Sequence, residues 1–278
     1  MTYQQVKNLK ATDFKRLYGV SPEVFKKMVT VVKAEKVWQK KTGRPSKLST
    51  EDQILITLEY WREYRTYFHI AINWGINETT VLRIIRKIEN ILAKSELFNL
   101  PGKKVVRASN GTIETVVVDV SEHEIERPKK KQQCYYSGKQ GYHTLKSQVL
   151  VDIKTKQIIC TAYSKGKVHD FQIWKTSQIG IDKNIECLAD KGYQGLKKIH
   201  VKSRTPLKKK KNQKLNKQEK QFNRKLAKQR IIVEHIHRCL KIFKILSSRY
   251  RNRRKRFCLR FNLIAGVYNY EIFLKNNL

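Results

Sequence analysis

Residues 113–119 read Ile113-Glu114-Thr115-Val116-Val117-Val118-Asp119, and this short run decides the fold class. Its β-branched residues are stiff at χ1 and pack well on a pleated surface, and the run is too brief for a helix, so it reads as a buried strand ending in an acid. Toward the C-terminus, Tyr142 to Ile153 alternates and then turns apolar, and Gln157 to Tyr163 resumes after a Lys154-Thr155-Lys156 turn. Three consecutive strands are expected. His169-Asp170 opens a short helix through Phe171, Ile173 and Trp174, and Ile185 to Leu188 is a brief strand running into Ala189-Asp190-Lys191-Gly192-Tyr193. Leu215 to Tyr250 contains neither Pro nor Gly and places Val233, Ile236, Leu240 and Phe243 at helical spacing, which predicts one long helix with a single buried face. The order β-β-β-α-β-α specifies a mixed sheet with flanking helices, an α+β or α/β core.

The first hundred residues carry a different period. Ser49-Thr50-Glu51-Asp52 offers N-cap chemistry ahead of Ile54, Leu55, Leu58 and Trp61. A second apolar segment, Phe68 to Trp74, ends at Gly75, and Asn77-Glu78-Thr79-Thr80 caps a third helix carrying Val81, Leu82, Ile85, Ile88 and Leu92. Helix, short helix, Gly turn and capped helix form a helix-turn-helix outline, in which Thr79, Thr80, Arg83, Arg86 and Lys87 would face the major groove or its phosphates. A three-helix bundle with a solvated basic face fits the same pattern. Between Lys40 and Lys47 the Gly43-Arg44-Pro45 core reads as a linker or as an arm that puts Arg44 in the minor groove. The expected organisation is an N-terminal helical segment (1–42), a basic linker (43–48), a helix-turn-helix domain (49–100) and a sheet domain (110–278).

The chain has 278 residues and a formal net charge of +37, so a polyanion, with nucleic acid first, is the expected partner. At 40% hydrophobic and 10% aromatic it carries enough apolar residues for a core, which excludes a wholly disordered basic tail. No run of 18 apolar residues and no apolar leader occurs, so neither a membrane span nor a secretory signal is expected and the chain is assigned to the cell interior. The five cysteines are scattered without a C-x-x-C pair, so zinc ribbons and disulfide frameworks are not indicated.

Acids are scarce where the charge is highest. Between Lys202 and Arg260 stand 23 lysines and arginines but two acids, Glu219 and Glu234. Glu234 lies on the helix that should pack on the sheet, so its carboxylate is expected at or near the core, where it must be paired, hydrogen-bonded or metal-bound. Arg230 and Lys241 share its helical face, and an Arg230–Glu234 ion pair is the plain alternative. Asp119 and Asp190 end two strands, where ligand sites of open sheets collect. Three converging carboxylates favour hard cations, two Mg²⁺ ions with Mn²⁺ as a substitute, in a phosphoryl-transfer site. Asp170 either caps its helix or adds a fourth acid. Arg251, Arg253 and Arg254, in the tract after the long helix, read as contacts to a DNA backbone.

These residues also carry a resemblance. The order Asp119, Asp190, Glu234, with Leu188-Ala189-Asp190-Lys191-Gly192-Tyr193 around the second and Arg230 and Lys241 flanking the third, resembles bacterial insertion-sequence transposases of the DDE superfamily. Arg127-Pro128-Lys129-Lys130-Lys131-Gln132, Tyr135-Tyr136-Ser137-Gly138-Lys139, His143-Thr144-Leu145-Lys146 and Val168-His169-Asp170 are similar to the Harbinger-related group. Two positions depart from the pattern: Asp119-Val120-Ser121-Glu122 stands for Asp-Gly-Thr-Glu, and Ala227 stands for a Tyr. The resemblance implies a ribonuclease-H-like core and a metal-binding, catalytic triad of Asp119, Asp190 and Glu234. It makes Lys241 a transposon-end phosphate contact and Arg230 a residue that orients Glu234 or touches DNA; Lys146, on the second strand beside the first, flanks the cleft and reads as a further phosphate contact. It implies a transposase that binds terminal inverted repeats of double-stranded DNA and then cuts and joins strands, in a homodimer or larger synaptic complex at the nucleoid of a prokaryotic cell. A transposase-derived DNA-binding protein without activity and a metal-dependent DNA nuclease are the alternatives.

Overall fold

The computed structural model describes residues 2–38, 46–108, 111–209, 214–252 and 254–276. In chain order these form α1 (Tyr3–Val6), α2 (Ala11–Tyr18), α3 (Pro22–Trp38), α4 (Thr50–Glu63), α5 (Tyr67–Trp74), α6 (Glu78–Lys94), α7 (Lys104–Arg107), β1 (Thr115–Glu124), β2 (Tyr136–Ser137), β3 (Tyr142–Asp152), β4 (Ile158–Lys165), α8 (Asp170–Ser177), β5 (Glu186–Leu188), β6 (Ser203–Arg204), α9 (Lys217–Lys241), α10 (Lys244–Ser247) and α11 (Phe257–Asn276). They divide into two compact units. The first comprises residues 1–99, 240–248 and 256–278, and the second residues 100–239 and 249–255.

In the first unit the helix ends follow the local chemistry. Ser49 Oγ accepts from Asp52 N at 3.0 Å to start α4, Thr66 Oγ1 accepts from His69 N to start α5, and Asn77 Oδ1 accepts from Thr79 N at 2.8 Å to start α6. Gly75 closes α5 with φ 59°, a left-handed conformation that costs glycine little. Phe68, expected on the apolar side of α5, is exposed; Ile70, Ala71 and Trp74 take that face. The C-terminal helix α11 belongs to this unit, not to the sheet domain in which residues 110–278 were expected to lie together. Its anchor is Glu89 of α6, fully buried, whose carboxylate accepts from Arg260 Nε and Arg256 Nε at 2.7 Å each and from Trp61 Nε1 at 3.1 Å. A charge so placed is tolerated only with partners, so α6 and α11 depend on one another.

The predicted helix 215–250 is interrupted. α9 stops at Lys241, and Phe243 takes an extended conformation before α10. Phe243 is buried and its ring lies where a Cβ on Gly19 would stand, 2.7 Å away. Tertiary burial of one aromatic overrides the helical propensity that the stretch shares with its neighbours.

The second unit is built on one mixed sheet. β1 pairs antiparallel with β3, β3 antiparallel with β4 and with the short β2, β1 parallel with β5, and β5 parallel with β6. This arrangement, with helices packed on it, is the mixed sheet with flanking helices that the element order specified. Val116, Val118, Leu150, Trp174, Cys187 and Tyr193 share its core. β1 runs past Asp119 to Glu124, because its second half keeps pairing with β3 after β5 has ended at Leu188. Asp119 therefore lies two residues past the end of the parallel pairing and within its own strand.

Candidate active site

The register places two acids side by side. Val116 pairs with Cys187 and Val117 with Leu188, so Asp119 and Asp190 each lie two residues past the last pair, close enough for the charge of one to act on the other. Asp190 leaves β5 in extended conformation and its Oδ1 accepts from Gly192 N at 2.8 Å, closing the turn that follows. Burial raises the Asp190 pKa, and the neighbouring charges of Asp119 and Asp170 push the same way against the Gly192 hydrogen bond and Arg230. Tyr193, buried behind these three aspartates and donating to Gln148 Oε1 at 3.0 Å, is held well above the usual phenol range, first by burial.

Asp119 is gripped from α9. Arg230 Nη2 lies 3.6 Å from its Oδ1, and His237 Nε2 lies 3.4 Å from its Oδ2. At roughly 100° per residue, Arg230, Glu234 and His237 fall on one flank of the helix, beside the buried stripe of Leu226, Val233, Ile236 and Leu240. Glu234 is exposed on that flank, not at the core as expected, because it lies farthest round from the stripe. Lys241 is also exposed, in the last turn.

On the other side stands Asp170. It is the first residue of α8 and not its cap; His169 Nδ1 accepts the Phe171 amide instead. Asp170 Oδ1 takes a hydrogen bond from Lys146 Nζ at 2.9 Å, and its Oδ2 would stand 3.2 Å from a Cβ on Gly192. Lys146 was expected to touch phosphate. It is buried instead, donating also to Val168 O at 2.9 Å and lying 3.7 Å from Glu122 Oε1.

Among the described residues no three His, Cys, Asp or Glu side chains converge closely enough to hold a metal ion. The donor chemistry nevertheless fits a hard divalent cation: Asp119 and Asp190 are near one another, all-oxygen and mutually repelling. Of the participants, His237, Glu122 and Gly192 were not singled out from the sequence. Only the spacing of His237, seven residues after Arg230, could have placed it on the face of Arg230 and Glu234.

In the first unit Thr79, Arg83 and Arg86 are exposed on α6, with Thr80 and Lys87 half-buried. Arg83, Arg86, Lys87 and Lys94 line a cleft of about 570 Å³ with Glu35 of α3. In the second unit Arg251 and Arg254 are exposed, and the Arg254 guanidinium lies 4.4 Å from the centre of the Tyr135 ring. Arg44 and Arg253 lie outside the described residues.

Comparison with known proteins gives the geometry its setting. Residues 118–269 match a family described as DDE superfamily endonuclease, and residues 46–96 match the helix-turn-helix of DDE superfamily endonuclease. The chain is 53% identical over 275 residues to the probable transposase for insertion sequence element IS702 of Microchaete diplosiphon, covering 99% of this chain and all of that one. The chain belongs to the insertion-sequence transposases of the DDE superfamily. This DNA transposase is also 26% identical over 232 residues to the putative transposase for IS112 of Streptomyces albus G, covering 82% of this chain and 83% of the relative. Among solved structures, a piggyBac transposase synaptic complex with hairpin DNA aligns with 99% of this transposase and 77% of that chain, at 11% identity and a TM-score of 0.47. No described helix of the transposase is long and apolar enough to cross a membrane.

Proposed function

We propose that Asp119, Asp190 and Glu234 form the cation-binding centre at which this transposase cuts and joins DNA. The closeness of Asp119 and Asp190, just past the parallel pairing of β1 and β5, carries the reading. Glu234 supports it. Arg230 and His237 both reach Asp119, and Glu234 lies between them along the same flank, so the helix is centred on the aspartate at that residue.

Two Mg²⁺ ions, or Mn²⁺ in their place, would be held by these three acids and would supply activation of the attacking oxygen and stabilisation of the leaving one. The chain itself contributes orientation. Arg230 fixes Asp119, the Gly192 amide fixes Asp190, and Lys146 holds Asp170 beside them as a fourth acid. Water attacks the phosphodiester at the element end, and the freed 3′-hydroxyl then attacks target DNA in line, with no covalent bond to the protein. Thr79, Thr80, Arg83, Arg86 and Lys87 on α6 read the terminal inverted repeats, with Arg44 as a minor-groove arm. Lys241, Arg251, Arg253 and Arg254 follow the phosphate backbone. Joining two ends to one target calls for a homodimer or larger synaptic complex.

The test is a nicking and strand-joining assay on oligonucleotides carrying the element end. Asp190→Asn should bind the end normally and neither cut nor join. Normal cutting by that variant removes the assigned site. Binding by the wild type without metal-dependent cutting points to a DNA-binding protein alone, and cutting without joined products to a nuclease.

A further inference from the structure

We infer that His237 is a positioning residue for Asp119, acting as a hydrogen-bond donor that fixes the carboxylate for the incoming cation. The inference rests on the cation chemistry proposed for Asp119. His237 is nine-tenths buried on the sheet-facing flank of α9, and its Nε2 has no hydrogen-bond partner among the described residues. A buried donor left unpaired is costly, so it calls for an acceptor. The acceptor at hand is Asp119 Oδ2, 3.4 Å away. That separation lies just outside hydrogen-bond range, as such contacts often do before the ligand is in place.

The second arm is Arg230, on the other oxygen of the same carboxylate, with its own Nε buried and unpaired. Two donors two helical turns apart thus address the two oxygens of one acid. A carboxylate offers about four acceptor positions, so one donor closing on each oxygen would leave one on each for a cation. The rotation of the carboxylate is then set before the cation arrives. Either the neutral ring with hydrogen on Nε2 or the protonated ring can donate, so the role needs no change of charge.

The experiment uses the full chain with Mn²⁺ as probe, counting bound ions by electron paramagnetic resonance beside a nicking assay, a thermal melt and end-DNA retardation. His237→Phe keeps an aromatic ring and removes the donor. It should melt within a few degrees of wild type and retard DNA normally, while half-saturation by Mn²⁺ shifts upward by about 10- to 100-fold, the usual effect of losing a residue that orients a ligand. His237→Gln, whose amide nitrogen falls near the position of Nε2, should restore most of the affinity, and His237→Asn, whose amide falls near Nδ1, should not. Wild-type Mn²⁺ half-saturation in His237→Phe overturns the inference. If that variant fails to fold, the Gln and Asn variants decide, and equal Mn²⁺ affinity in the two overturns it. Asp119→Asn is the separate arm: if it binds Mn²⁺ and cuts normally, the proposed centre itself is wrong, whereas loss there with a normal His237→Phe sinks only the role of His237.

Discussion

Asp119 and Asp190 lie near one another just past the last pair of β1 and β5, each with a different restraint: Asp119 is addressed by Arg230 and His237 from α9, whereas Asp190 is tied to the amide of Gly192 in its own turn. The two acids therefore respond differently to substitution.

Asp190 carries a burial penalty, so its pKa in the folded chain is raised above the ordinary 3.8. The folded state holds the proton to higher pH than the unfolded state does, and stability falls as pH rises through that window. In chelator at neutral pH, Asp190→Asn should thus melt at a higher temperature than wild type, since Asn keeps the acceptor for Gly192. The gap should close in acid, below the ordinary carboxylate range. A lower melting temperature for Asp190→Asn at neutral pH would contradict this.

Gly192 has no room for a side chain. A Cβ there would stand 2.9 Å from Asp190 Oδ1 and 3.2 Å from Asp170 Oδ2, pushing both carboxylates aside. Gly192→Ala should leave the melt nearly unchanged and lower strand cleavage by about 100-fold, the scale of a 1 Å misplacement in an active site. Cleavage at the wild-type rate would show that these carboxylates need not be held.

Lys146 and Lys241 should part company. Lys146→Met strands Asp170 and Glu122 beside a buried methionine and should cost about 3 kcal/mol in urea unfolding, the low end for breaking one side of a buried pair. Lys241→Met, on an exposed side chain, should change stability by no more than about 0.5 kcal/mol while lowering the salt dependence of DNA binding by about one unit of slope. The reverse pattern would return Lys146 to the DNA surface.

Glu89→Ala leaves Arg260, 1% exposed, without its carboxylate, and should destabilise the first unit by about 3–5 kcal/mol. A two-probe melt, with Trp61 reporting on the first unit, would locate the loss; an unchanged transition would mean that Arg260 finds another acceptor.

Thiol labelling gives an independent check of burial. Burial pushes Cys160 up to about 11 and Cys187 to about 12, so neither should react with a thiol reagent at pH 8 in the native state. Cys239 is exposed and should label at once. Fast labelling of Cys187 would mean that β5 opens readily.

What could be read from the chain was whatever local chemistry dictates. Ser49 and Asn77 announce helix starts through their own oxygens, Gly75 announces a left-handed stop, and the valines of 116–118 announce a buried strand. Asp119 and Asp190 were visible because each follows such a run. The break at Phe243 was not, since nothing in its neighbours forbids a helix and only packing against Gly19 decides it. Glu234 was misplaced because helical period gives the face shared with Arg230, but not how far round from the core that face lies. Lys146 and His237 share another reason: a polar residue looks solvent-facing until the partners brought to it by distant segments, Asp170 or Asp119, are known.

The return of α11 to α6 has a consequence for how the chain is made. Arg256 and Arg260 are translated after the second unit's sheet, yet they neutralise the acid at the heart of the unit whose other helices emerged first. Until synthesis reaches them, Glu89 is an unmatched anion in a half-built interior. The first unit is therefore completed only after the sheet of the second has been translated, and a nascent chain stalled near residue 250 would lack the two arginines that match Glu89.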